Sequence, residues 1–200
     1  MSPRREACRP RGATLIELIM FIVVVGAAVA GVLGAINYAT RASVDPMIQK
    51  QALAIAEALL EEVQLQPFTY CDPDDPAAST ALNVTQCATQ ETIGVEGAET
   101  RSGLPVGTPP FFDNVSDYNA YDSSTAAPSG ITDIGGASIA GLDGYRVQVG
   151  VAGQPLSGIG DDANGRPQSL LVTVTVTRTA GNVSVTLHGY RVRYAPNALP

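Results

Sequence analysis

Arg11-Gly12-Ala13-Thr14-Leu15-Ile16-Glu17 joins a short basic leader to an apolar run. The leader carries Arg4, Arg5, Arg9 and Arg11 against the single acid Glu6. The run starts at once, with one carboxylate, Glu17, five residues past Gly12. From Leu18 to Ile36, nineteen residues pass without a formal charge. A helix needs about 20 such residues to span a bilayer. The stretch therefore predicts a membrane span over about 15–37. An acid beside such a run is costly in lipid and is a functional candidate by default.

The charge balance orients that span. The 200 residues hold 12 basic and 19 acidic side chains, for a net charge of -7. Residues 1–12 take four of the basic and one of the acidic, leaving 8 and 18, or -10, for the rest. A basic leader marks the cytoplasmic side by the positive-inside rule. The acidic body then lies on the far side of the membrane, and its charge argues against a nucleic-acid surface. Cys8 sits in the leader, so Cys71 and Cys87 remain as an even pair. In that compartment disulfides persist, which favours a bridge over two free thiols. A loop of this size gains about 3 kcal/mol from closure.

A secretory signal and a plain membrane anchor each fit only part of the first forty residues. A secretory signal has an apolar core of 7–15 residues with a small-residue cleavage site after it. Here the apolar run is longer, and its only A-x-A match, Ala28-Val29-Ala30, lies inside it. A plain single-span anchor accounts for length and orientation, but not for a Glu five residues after a Gly. The order of basic leader, Gly, short polar patch with Glu and apolar span resembles the prepilin signal of the type IV pilin and type II secretion pseudopilin family. The segments Thr14–Gly26, Arg41–Met47 and Gln51–Glu57 look particularly like minor pilins of mannose-sensitive haemagglutinin (MSHA) systems. That resemblance covers about the first 65 residues.

The resemblance carries specific expectations. It implies cleavage between Gly12 and Ala13 by a membrane peptidase, which then methylates the Ala13 amine. Gly12 suits a scissile site because it has no Cβ to hinder approach to the backbone. The family's usual first mature residue is Phe, and this chain has Ala13. Glu17 is implied to pair with the free amine of a neighbouring assembled subunit and so set axial register. A cation within about 4–6 Å offsets much of the cost of a carboxylate in lipid. A Glu that snorkels to the headgroups is the simpler alternative. The implied fold is α+β and pilin-like: a long N-terminal helix over 13–65, transmembrane in its first half, packed on an antiparallel β-sheet head over 66–200. The implied function is that of a minor pilin of an MSHA-like pilus, with a type II secretion pseudopilin as the runner-up. Its partners would be other pilin subunits, prepilin peptidase, the inner-membrane assembly platform and the lipid bilayer. No cofactor is implied, and a membrane-tethered enzyme or adhesin is the rival class.

Beyond the span, periodicity continues the helix. Gly26, Ala30 and Gly34 share one face, a spacing that lets helices approach closely in lipid. Ile48, Ala52, Ile55, Ala56, Leu59 and Val63 form a stripe at three- and four-residue spacing. Pro46 predicts a kink or a fresh helical start, and Gln66-Pro67 an end. Residues 67–143 read as a loop-rich region with Phe111, Phe112, Tyr118 and Tyr121 as its core contacts. Over 144–195 three alternating runs predict antiparallel strands: Tyr145 to Val151, Val172 to Val176 and Val183 to Leu187. Thr179-Ala180-Gly181-Asn182 predicts a hairpin turn. A phase change at His188-Gly189 predicts a β-bulge in the third run.

Catalytic signals are sparse. His188 stands in a strand without a metal partner at useful spacing, and no nucleophile elbow, P-loop or C-x-x-C occurs. Asp161, Asp162 and Asn164 are oxygen donors of the kind calcium takes, and some pseudopilins hold calcium in a head loop. The same residues, followed by Gly165, also read simply as a turn. Asp72, Asp74 and Asp75 rank lower still, because Pro73 and Pro76 predict a solvated loop.

Overall fold

A computed structural model describes residues 14–103, 105–126, 128–194 and 196–197, with side chains for all but 39–45. The leader, with Gly12 and Ala13, lies outside the described residues. Helix α1 runs Leu15–Leu65. Its start is capped locally. The Thr14 hydroxyl accepts the Glu17 N–H at 3.4 Å, and the Thr14 carbonyl accepts the Leu18 N–H at 3.1 Å. Glu17 thus falls in the first turn, where the helix dipole favours an acid. One reason for Glu17 is therefore local and independent of any partner.

Leu15–Tyr38 is a 24-residue stretch long and apolar enough to cross a membrane. At 1.5 Å per residue it is about 36 Å long, against about 30 Å of hydrocarbon. None of it is buried by the rest of the chain. A Cβ built on Gly26, Gly31 or Gly34 meets nothing within 4 Å. The chain's own packing therefore does not require glycine at these positions.

Pro46 lies inside α1 and starts no new helix, contrary to one expectation from sequence. It does mark where the fold divides into two compact units, Met1–Pro46 and Met47–Pro200. The helix ends at Leu65, just ahead of Gln66-Pro67, as the proline requires.

The second unit is built on three strands, β1 (Tyr145–Gly153), β2 (Ser169–Arg178) and β3 (Val183–Val192), in the order β1-β2-β3 and antiparallel throughout. Alternation decides which face is covered. Val147, Val149, Val151, Val172, Val174 and Val176 are buried, while their neighbours Arg146, Gln148 and Gly150 face out. The helix stripe closes over that face. Ile48, Ala52, Ala56, Leu59 and Val63 join the valines in one core, with Ile55 and Leu60 half-buried at its edge. Burying each valine side chain contributes on the order of 1.5–3 kcal/mol relative to leaving it exposed. Polar ties fix the helix on the sheet. The Tyr145 hydroxyl donates to Gln51 Oε1 at 2.8 Å, and Arg191 donates to the Gln66 carbonyl at 3.0 Å.

The hairpin turn forms as the sequence predicts, with Gly181 and Asn182 at φ of 89° and 48° and the Asn182 N–H bonded to the Thr179 carbonyl. The β-bulge does not form. Residues of β2 and β3 pair one to one from Arg178↔Val183 to Ser169↔Val192, through Thr173↔His188 and Val172↔Gly189. The alternation therefore never changes phase: Gly189 is buried, and Tyr190 turns outward at 49% exposure. The physical reason is the helix above. A Cβ on Gly189 would stand 2.2 Å from Gln64 Nε2 and 3.0 Å from Leu60 Cδ1. The glycine makes room for the helix and does not break the ladder.

Residues 67–143 contain two short 3-10 turns, Val84–Gln86 and Val115–Tyr118, and no strand among those described. Phe112 packs edge-on against Tyr118 and Tyr121, with ring centroids 5.1 and 6.3 Å apart. Tyr118 is fully buried. Phe111 departs from expectation: it is 38% exposed and stands outside the core.

Candidate functional site

The residues singled out from sequence do not gather in one place. Glu17 is exposed at the start of α1. Cys71 and Cys87 form the disulfide, with Cα atoms 5.3 Å apart, and enclose a small cluster with Ala78 and Ala81. In the loop between β1 and β2, Asp162 Oδ1 accepts the N–H groups of Asn164 and Arg166 at 2.8 and 2.9 Å. Gly165 at φ 74° donates back to the Asp162 carbonyl. Asp162 thus closes its own turn, and Asp161 and Asn164 remain exposed. His188 is exposed on β3, 3.0 Å from Thr173 Oγ1.

A different set of acids converges inside the loop-rich region. Asp72, Glu99 and Asp113 each bring one carboxylate oxygen within 4.8 Å of the others. Glu91, Glu96 and Asp117 do the same. The two triads are electrical neighbours, since the charge of Asp117 acts on Glu99 as well as on Glu91. This corrects the expectation for the Asp72-Pro73-Asp74-Asp75 segment. Asp72 belongs to the cluster, and Asp75 is buried, accepting the N–H groups of Ala77 and Thr89 at 2.8 and 2.6 Å.

Local structure aims these carboxylates. Asn114 caps the 3-10 turn Val115–Tyr118, and Asp117 completes a capping box by accepting the N–H groups of Asn114 and Asp113 on Oδ2, at 2.7 and 2.9 Å. Asp117 Oδ1 is left buried with no hydrogen-bond partner. Glu96 Oε1 is occupied by the Thr92 N–H at 2.7 Å, while its Oε2 is buried and unpartnered. Glu99 Oε2 is in the same state. Glu91 accepts one bond, from Ser116 Oγ at 2.6 Å. Ser116 is held by Asn114, whose amide donates to Thr69 Oγ1 at 2.7 Å.

The electrostatics follow from burial among like charges. Burial, and then the charge of Asp117, pushes the Glu91 carboxyl up to about 10. Burial, followed by the charges of Asp117 and Asp113, pushes Glu99 up to about 8. Burial and the charge of Asp72 raise Asp113 to about 6. Asp117 is also raised, burial outweighing its two backbone hydrogen bonds. Two ionised carboxylates at the 4.8 Å limit repel by about 3–4 kcal/mol at an effective dielectric of ~20. A cluster of this kind needs protons or an external cation to be comfortable.

The chain has little cationic charge to offer. Between Lys50 and Arg146 the sequence has one basic residue, Arg101, against fourteen acidic ones. Arg101 is committed to Glu62, donating from both Nε and Nη2 at 2.6 Å, and its Nη1 reaches the Thr132 carbonyl and hydroxyl. Arg193 feels the charge of Glu91 but is stacked on Phe68 and Tyr70, 3.9 and 4.6 Å from their centroids. Among the described residues no salt bridge reaches the cluster. Isolated sequence motifs do not reveal these acids; the charge segregation over 51–145 is the signal that points to them.

A second feature lies beside the helix. A groove of about 500 Å³ runs along its flank, lined by Ala54, Ile55, Ala58, Tyr121, Ile131 and Ile139. Its wall is mostly apolar, and Arg101 and Glu62 border it.

Comparison with protein-family models, with curated proteins and with solved structures finds no match for this chain.

Proposed function

We propose that this chain is a minor pilin-type subunit, cleaved after Gly12 and assembled through its N-terminal helix into a type IV, MSHA-like fibre. The carrying observation is the Leu15–Tyr38 segment, 24 residues long and apolar enough to cross a membrane, with no part buried by the chain itself. Such a helix needs lipid before assembly and neighbouring helices after it. Gly26, Gly31 and Gly34, open on their Cβ side, leave room for close approach of those neighbours. The second unit supports the reading: a helical segment laid on a three-stranded antiparallel sheet suits a head carried by such a helix. The work is assembly and not turnover. The basic leader holds the start in the cytoplasm, the peptidase removes it, and the freed Ala13 amine becomes the cation that a neighbour's Glu17 meets in lipid.

Processing and register are tested together. Co-expression with a prepilin peptidase should remove residues 1–12 and add one methyl group to Ala13, read by intact mass. Retention of the leader would sink the reading. Glu17→Gln should insert in the membrane as well as the parent but enter sheared fibres at about one-tenth of its level or less, the scale of about 1.4 kcal/mol or more lost from a charge pair in lipid. Equal incorporation would leave Glu17 with only its role in the first helical turn.

A further inference from the structure

We propose that the two neighbouring acid triads in the loop-rich part of the head, Asp72 with Glu99 and Asp113 and Glu91 with Glu96 and Asp117, form a calcium-binding region. This region is independent of the assembly role and holds whatever the helix does.

Geometry is the first support. Each triad holds three carboxylate oxygens within 4.8 Å of one another, a separation that calcium–oxygen bonds of about 2.3–2.6 Å can bridge from one centre. The second support is the set of oxygens left over. Glu99 and Asp117 are 8% and 1% exposed, and each keeps one buried oxygen without a hydrogen-bond partner. Glu96 Oε2 is a third. Buried polar atoms in native proteins are nearly always paired, so free acceptors in both triads call for a ligand. Among the described residues no salt bridge supplies it: Arg101 is engaged with Glu62, and Arg193, whose charge reaches Glu91, is stacked on Phe68 and Tyr70.

Donor chemistry names the ion. All six ligands are carboxylates, and the two nearby cysteines are joined to each other. An all-oxygen anionic set selects a hard cation over zinc or copper. The ligands come from irregular loops, not from a rigid cage. Calcium accepts six to eight oxygens in variable geometry, whereas magnesium demands a near-ideal octahedron. The consequence is structural. The ligands belong to three separated stretches, at Asp72, at Glu91 to Glu99 and at Asp113 to Asp117. Calcium would pin these together in a region without strands among its described residues.

The test uses the full-length protein in detergent micelles, stripped with EDTA and titrated with calcium chloride by calorimetry and by thermal unfolding. The expected result is saturable binding with a dissociation constant of about 10⁻⁴–10⁻³ M and a rise in Tm. Combining Glu99→Gln with Asp117→Asn should weaken binding at least about tenfold. Without calcium the same variant should melt at or above the temperature of the stripped parent, because a repulsion has been removed. A purely structural role for the two acids gives the opposite sign. Asp113→Asn serves as the second variant if the first does not fold, and Asp161→Asn should bind as the parent does. Absence of binding by the parent at millimolar calcium would overturn the proposal. So would unchanged binding in the cluster variants, loss of binding in Asp161→Asn, or equal affinity for magnesium.

Discussion

Arg101→Ala is expected to destabilise the head by about 3–5 kcal/mol, the usual cost of leaving one member of a buried ion pair alone. The Arg101 side chain is 8% exposed and that of Glu62 is 19%. Burial alone would lower the guanidinium's pKa; the two hydrogen bonds it donates to Glu62, and the charge of Glu62, outweigh that and raise it above its ordinary range. The pair also organises its surroundings. Glu62 Oε1 accepts the Tyr118 hydroxyl at 2.9 Å, and Arg101 Nη1 reaches Thr132. Removing the cation strands a carboxylate on α1 and frees two loop segments at once. For a chain of this size the change in Tm is roughly 6–20 °C, read by thermal unfolding of the purified protein. The double variant Glu62→Met with Arg101→Met should recover most of the loss, since both desolvation penalties vanish together. A loss under about 1 kcal/mol for Arg101→Ala would show that the pair behaves as a surface bridge.

Cys71→Ser with Cys87→Ser is expected to lower stability by about 3 kcal/mol, from the loop entropy the bridge removes in the unfolded chain. The cysteines are 16 residues apart. Reduction of the parent should reproduce the shift, and non-reducing peptide mapping should show the two cysteines joined. Free thiols in the purified protein would refute the bridge. The bridge also places ligands. Asp72 N–H bonds to the Thr89 carbonyl, and Glu91 N–H to the Tyr70 carbonyl, on either side of the Cys71↔Gln90 pairing. Two of the six clustered acids are therefore held together by the segment the disulfide staples. The serine variant should lose calcium affinity as well as stability, a coupling that calorimetry on one sample reads directly.

Legibility in the sequence differed by region for physical reasons. The strands were readable because a sheet with one covered face forces a two-residue alternation on the chain, and Tyr145 to Val151 and Val172 to Val176 obey it. The helix stripe from Ile48 to Val63 was readable because a helix touching a sheet buries a fixed angular sector. The supposed bulge failed at Gly189 for a long-range reason. What looked like a local change of phase is a space requirement imposed by Leu60 and Gln64, more than a hundred residues earlier. Phe111 differs from the expectation in another way: its neighbour Phe112 packs against Tyr118 and Tyr121, while Phe111 stays 38% exposed.

The junction at Arg11 to Glu17, the apolar run behind it and the alternating valines together determine an apolar N-terminal helix, an amphipathic continuation and an antiparallel sheet. Those features are periodic or contiguous, so short windows contain them. Only the tertiary structure decided that Arg101 pairs with Glu62 across 39 residues, and that six acids spread from Asp72 to Asp117 gather into two triads. Loop-borne carboxylates carry no period, and their meeting depends on how a disulfide, a capping box and two short turns fold the backbone between them.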